Sequence, residues 1–128
     1  MKLEEPKENA KQRIRDAEEF LESSKENVRH ERFKACLDNA VDAAIAANDA
    51  FTIWLVQQVG STDHREAIRI HLLAGKKISE NKSQILKRLL DLRHKMTYRA
   101  VKVPKGMADE TLRDAIGFVS WVREKMKL

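Results

Sequence analysis

Residues 81–99 read NKSQILKRLLDLRHKMTYR, and this stretch decides the fold. Ile85, Leu86, Leu89, Leu90, Leu92 and Met96 recur at helical spacing and define one broad apolar arc. Asn81 with Gln84 resembles a capping box, so a helix is predicted from Asn81 to about Ala100. Arg93 breaks the pattern. Advancing about 100° per residue places it between Leu89 and Leu86, well inside the arc. A guanidinium left unpaired in a core is strongly unfavourable, so Arg93 needs either an acidic partner or an anionic ligand.

Working outward, the rest of the chain is helical too. Pro6 suits a first helical position, and Ala10, Ile14, Ala17, Leu21, Ser24 and Val28 then alternate by four and three, which predicts a helix over 6–28. A second helix, 32–59, ends at Gly60. Phe33, Leu37, Val41, Ala44, Ile45, Phe51 and Leu55 form one side of it, and Cys36, Ala40, Ala43, Ala47 and Ala50 a neighbouring strip of small residues that lets another backbone come close. Ser61, Thr62 and Asp63 are N-cap candidates for a short helix over 63–74, with Gly75 as its stop. Pro104 and Gly106 make 101–108 a loop, and a fifth helix over 109–127 buries Leu112, Ala115, Ile116, Val119, Val122 and Met126. No strand-like alternation of useful length is present. The economical architecture is an all-α antiparallel up-and-down bundle of four long helices plus one short helix, one domain spanning 1–128.

Composition narrows the class. With 128 residues, 35% of them charged and only four Gly and two Pro, the chain has the make-up of a helical domain rather than a sandwich or barrel. It has neither a run long enough to span a membrane nor an apolar signal segment, and its one cysteine, Cys36, excludes a disulfide framework. A cytoplasmic location follows as the expectation. The formal net charge of +5 is compatible with nucleic acid. The densest basic region is 82–105, with Lys87, Arg88, Arg93, Lys95, Arg99, Lys102 and Lys105. Trp121 falls outside the apolar arc of the last helix and Trp54 lies at the edge of its own, which suggests a two-fold homodimer using one of them and the small-residue strip.

Asn48 projects from the middle of the second helix's apolar arc, and Asp38, Asp42 and Asp49 line one edge. Arg93 is therefore expected to pair with Asp42 or Asp49 beside Asn48, or else to face a phosphate. His30 and His64 read as capping or surface residues. No His, Cys and carboxylate cluster has the spacing of a zinc site, and no glycine-rich phosphate loop or nucleophile elbow is present, so no metal or cofactor is expected.

Two segments resemble the HEPN domain family. One is the helix from Leu89 to Tyr98, with Leu92-Arg93-His94-Lys95-Met96-Thr97-Tyr98 at its end; the other is the Ala-rich second helix from Asn39-Ala40-Val41-Asp42-Ala43-Ala44-Ile45 to Phe51. The resemblance implies a small helical bundle, commonly dimeric, of prokaryotic toxin–antitoxin and other defence-type systems, often encoded beside a minimal nucleotidyltransferase. Its active members are metal-independent ribonucleases with an arginine, four to six intervening residues and a histidine. Carried over, Arg93 takes the place of the arginine, but the position five residues on holds Tyr98. A phenol keeps its proton far above neutral pH, where imidazole exchanges it, so the resemblance points to the branch that keeps Arg and Tyr without the complete ribonuclease motif. Arg93, Tyr98, Arg99 and Lys102 are the implied nucleotide- or RNA-binding residues, and Arg93, His94 and Tyr98 the residues for any catalysis. Two literal motif spacings, Arg88 to His94 and Arg65 to His71, also occur; Arg88 to His94 lies in the matching helix, one turn early. A divergent ribonuclease built on Arg93 or Arg88 with His94, and a purely structural dimeric adaptor, are the alternatives.

Overall fold

The chain is an all-α antiparallel bundle in a computed structural model that describes residues 2–60 and 63–128, with side chains from Glu5 onward. Its elements are α1 (Asn9–Arg29), α2 (Phe33–Val56), α3 (His64–Lys76), α4 (Ser83–Tyr98) and α5 (Lys105–Lys125), with two short strands, β1 (Lys2–Glu4) and β2 (Gln58–Gly60). Helix α2 is the axis, with Cys36, Leu37, Ala40, Val41, Ala43, Ala44, Ala47, Ala50, Phe51 and Ile53 all fully buried. Helix α1 lies along it through the predicted seam of Ala10, Ile14, Ala17, Leu21 and Ser24. Helix α5 packs on both, and the α3–α4 hairpin flanks α2. The strip of alanines and Cys36 is therefore consumed inside the chain, where its small side chains admit neighbouring helices. It is not available as a dimer contact.

Several boundaries differ from expectation, each for a local reason. Helix α1 becomes regular only at Asn9, after a turn in which the Asn9 N–H bonds to the Pro6 carbonyl at 3.0 Å. Helix α2 stops at Val56 because Gln57 turns left-handed, with φ of 53°, and its N–H closes on the Ile53 carbonyl. Its own carbonyl then accepts from the Glu5 N–H at 3.0 Å. Residues 58 and 59, expected to be helical, instead join Gly60, the expected stop, in β2, which pairs antiparallel with β1 in the register Leu3 to Val59. Asp63 caps α3, its carboxylate accepting from the Arg65 N–H at 2.9 Å; Ser61 and Thr62 lie outside the described residues. Helix α5 starts at Lys105, about one turn earlier than expected and inside the expected loop. The Pro104 carbonyl accepts from both the Met107 and Ala108 N–H groups, so proline opens the helix rather than holding it off.

Helix α5 also presents a face rotated from the expected one. Ala108, Thr111, Phe118 and Trp121 are buried beside Ala115 and Val122, whereas Ile116 is exposed. Trp121, expected at the surface, stacks on Phe51 at 4.9 Å and donates its indole N–H to Glu80 in the α3–α4 turn at 2.9 Å. The hairpin thus covers the side of α5 that a two-helix pattern leaves open. Trp54 is partly buried, with the Lys7 ammonium 4.4 Å from its ring. Among the described residues, no helix is long and apolar enough to cross a membrane.

Candidate functional site: a charged cleft with an exposed aromatic rim

The two polar breaks read from the sequence face the same region but make different bonds. Arg93 donates to the Asp42 carboxylate and, at 3.4 Å, to the Asp38 carbonyl. Its partner is thus one of the two carboxylates anticipated. It is not buried, however, since 27% of its side chain remains exposed. On α4 only Leu86, Leu89, Leu90 and Met96 are buried, so the apolar arc narrows toward the C-terminal end and leaves Arg93 on its rim. Asn48 does not reach Arg93's partner. Its Oδ1 accepts from His71 Nδ1 at 2.8 Å, while His71 Nε2 accepts from the Lys82 backbone N–H at 2.9 Å. With one ring nitrogen facing an acceptor and the other a donor, the imidazole is the neutral Nδ1–H tautomer. It is fully buried against Phe51 and Phe118, and burial lowers it to about 4. His71 is thus a structural latch, and Arg65, exposed on the same helix, shares no site with it.

Between these two features lies a cleft of about 590 Å³. Its floor is apolar, formed by Ile45 of α2, Val59 of β2, Ala67 of α3 and Leu86 and Leu90 of α4. Polar groups come from every wall: Glu5, Arg13 of α1, Asn48 and Asp49 of α2, Asp63, His64 of α3 and Arg93. Burial pushes the Asp49 carboxyl up to about 6, against the pull of Arg13 and with a smaller push from Glu5. His64 opens α3 beside this cleft rather than capping the helix, which Asp63 does. Neither His64 nor Arg13 was marked by the sequence as a site residue. Arg13 directly precedes a seam residue, Ile14, the one signal that places it near the core's edge.

Outside the cleft mouth the rings of His64, His94 and Tyr98 follow one another. His64 to His94 is 6.3 Å edge-on, and His94 to Tyr98 is 4.8 Å. Tyr98 is 78% exposed, more than any other large hydrophobic side chain among the described residues. The basic region around it sorts into two sets. Lys87 is paired with Asp91, Arg88 with Asp114 and Lys105 with Asp109. Lys95, Arg99 and Lys102 are exposed and make no ion pair among the described residues. These three cations lie within four residues of Tyr98, whereas Lys82, also without an ion pair, stands at the other end of α4. Arg88, six residues before His94, is turned about 120° away from it on the helix. It borders a separate shallow groove with Lys87 and Lys95, so Arg88 and His94 share no cleft. His94 does not line Arg93's cleft either, and touches it only through His64.

An antiparallel helical bundle with a charged cleft and a basic, aromatic rim defines a class of small helical module. Within that class, the HEPN domain family model matches residues 10–125, and the chain belongs to the HEPN domain family. Comparison with curated proteins finds no match.

Proposed function

We propose that this HEPN domain binds single-stranded RNA at the C-terminal end of α4 without cleaving it. The carrying observation is Tyr98, 78% exposed with its ring edge-on to His94 and flanked in sequence by the exposed, unpaired cations Lys95, Arg99 and Lys102. Exposed rings give unpaired bases a stacking platform at about 1–3 kcal/mol per base, and unpaired cations follow the phosphates. Of the residues assigned to RNA binding from the sequence, Tyr98, Arg99 and Lys102 are exposed and lie within five residues of one another, while Arg93 is already engaged by Asp42. That engagement, and a phenol where a ribonuclease of the family needs imidazole, support a noncatalytic module. A toxin–antitoxin or defence-type setting, a nucleotidyltransferase partner and assembly as a homodimer are carried by the family likeness and belong to this proposal.

The test is to incubate purified protein with labelled single-stranded RNA in excess chelator and follow both retention and integrity. The expected result is salt-sensitive binding of intact RNA, weakened about tenfold by Tyr98→Ala and less by Lys102→Ala. Metal-independent cleavage lost in His94→Ala would overturn the noncatalytic reading in favour of a ribonuclease using Arg93 or Arg88 with His94. Neither binding nor cleavage would leave the dimeric adaptor.

A further inference from the structure

The RNA-binding face leaves the cleft behind it unused, and three features of that cleft match a nucleobase. Its floor is apolar while its walls are polar, the construction of pockets that bury a flat ring and orient it by its edges. Next, Asn48 and Asp49 are consecutive on α2 and both line it. The Asn48 carbonyl oxygen is already held by His71, so the amide nitrogen is the end left to donate. No hydrogen bond contributes to the state of the Asp49 carboxyl; desolvation dominates, opposed only through space by Arg13. At neutral pH it is an anion short of donors in a partly dehydrated place. Finally, His64 belongs both to the cleft wall and to the aromatic series that runs out through His94 to Tyr98.

We propose that the cleft takes one guanine base turned out of the bound RNA, with the Asp49 carboxylate accepting from its N1–H and N2–H groups and the Asn48 amide donating to its O6. Guanine is singled out by the pattern of its Watson–Crick edge. An ionised carboxylate offers two acceptors side by side, and among the four RNA bases only guanine presents two neighbouring donors to them. Adenine, cytosine and uracil each return one donor at most and leave a carboxylate oxygen facing an acceptor or nothing. A strand stacked on Tyr98 and His94 meets His64 at the mouth, which is where the next base turns inward. This inference rests on the RNA-binding reading, and the experiment separates the two.

The measurement is the affinity of the protein for uridine nonamers carrying a single central guanine, adenine, cytosine, uracil or hypoxanthine. Guanine is expected to bind about tenfold tighter than the other three bases. Hypoxanthine, which lacks only the N2 amino group, is expected to lose several-fold of that advantage in the unaltered protein. Asp49→Asn, checked for a native helical spectrum, is expected to abolish the preference. Equal binding of all nonamers overturns the guanine pocket and leaves RNA binding standing. A preference that survives in folded Asp49→Asn, or that hypoxanthine fully retains, overturns the assignment of the carboxylate. Failure of every nonamer to bind overturns both readings.

Discussion

Arg93 holds Asp42 at the rim of the bundle, with 27% and 34% of their side chains exposed. A pair this open recovers only part of what a buried one does, because water reaches the carboxylate once the guanidinium is gone. Arg93→Ala is therefore expected to destabilise by about 1–2 kcal/mol, less than the ~3–5 kcal/mol that a fully buried arginine implies. Urea unfolding measures it. His71 and Asp49 supply a second test, because burial moves them in opposite directions. The folded imidazole titrates at about 4 against 6.5, so the unfolded chain takes its proton first. The stability His71 contributes is present above 6.5 and lost as pH falls toward 4. The Asp49 carboxyl titrates at about 6 in the fold against 3.8, so there the folded state takes the proton first and gains stability as pH falls through that window. The two slopes nearly oppose. Replacing Asp49 by Asn removes one of them, so the melting temperature of Asp49→Asn is predicted to fall more steeply on acidification from 6.5 to 4 than that of the unaltered protein. Parallel profiles would contradict it.

At the scale of elements, the seams were legible and the ends were not. The spacing of Ala10, Ile14, Ala17 and Leu21 marks the buried face of α1 because those residues meet one neighbour, α2, along their length. Helix α5 meets α1 and α2 on one side and the α3–α4 hairpin on another; a single arc read from spacing centres it wrongly, which is how Ile116 and Trp121 exchanged places. The shortening of α2 depends on pairing between β1 and β2, a contact between residues more than fifty positions apart that leaves no local mark. Gly75 shows the same limit. It reads as a helix stop, yet α3 runs through it to Lys76, and no left-handed glycine is involved. What requires glycine is the returning chain: a Cβ there would lie 2.6 Å from the Glu80 carbonyl oxygen and 2.9 Å from Asn81 Cβ. Both atoms belong to the turn that brings the Lys82 N–H to His71 and Glu80 to Trp121. Gly75→Ala is expected to cost about 1–3 kcal/mol, readable as a lower melting temperature together with a shift in tryptophan fluorescence as Trp121 loses its partner. Of the candidate site, Arg93 and Asn48 were visible as polar breaks in apolar arcs, and Asp42 and Asp49 as the acidic edge of the second one. His64 was not, because only the fold carries the first residue of α3 to the C-terminal half of α4.

Across the whole molecule, charge is distributed so that one end of α4 stands apart. Elsewhere many acids and bases neutralise one another along and between helices, as Lys34 does with Asp38 and Arg123 with Glu18. From 82 to 105 there are eight basic residues and one acid; of the four without an ion pair among the described residues, Lys95, Arg99 and Lys102 lie within four residues of Tyr98, while Lys82 stands at the other end of α4. Self-association, expected from the family likeness, loses two of the surfaces first assigned to it, since Trp121 and the alanine strip are internal, and keeps the partly buried Trp54. Sedimentation equilibrium at micromolar concentration is predicted to give a dimer that Trp121→Phe leaves intact; a monomer mass would contradict it. The central claim is that RNA is held by stacking on Tyr98 and by charge on the cations beside it. These contributions separate in the salt dependence of affinity, because a lost phosphate contact changes the slope whereas a lost stack does not. The measurement is the affinity for a single-stranded RNA nonamer over a range of salt concentrations, for the unaltered protein, Lys102→Ala and Tyr98→Ala. The account predicts a logarithmic slope shallower by about 0.7 for Lys102→Ala and an unchanged slope with uniformly weaker binding for Tyr98→Ala. Binding that neither substitution alters would contradict it.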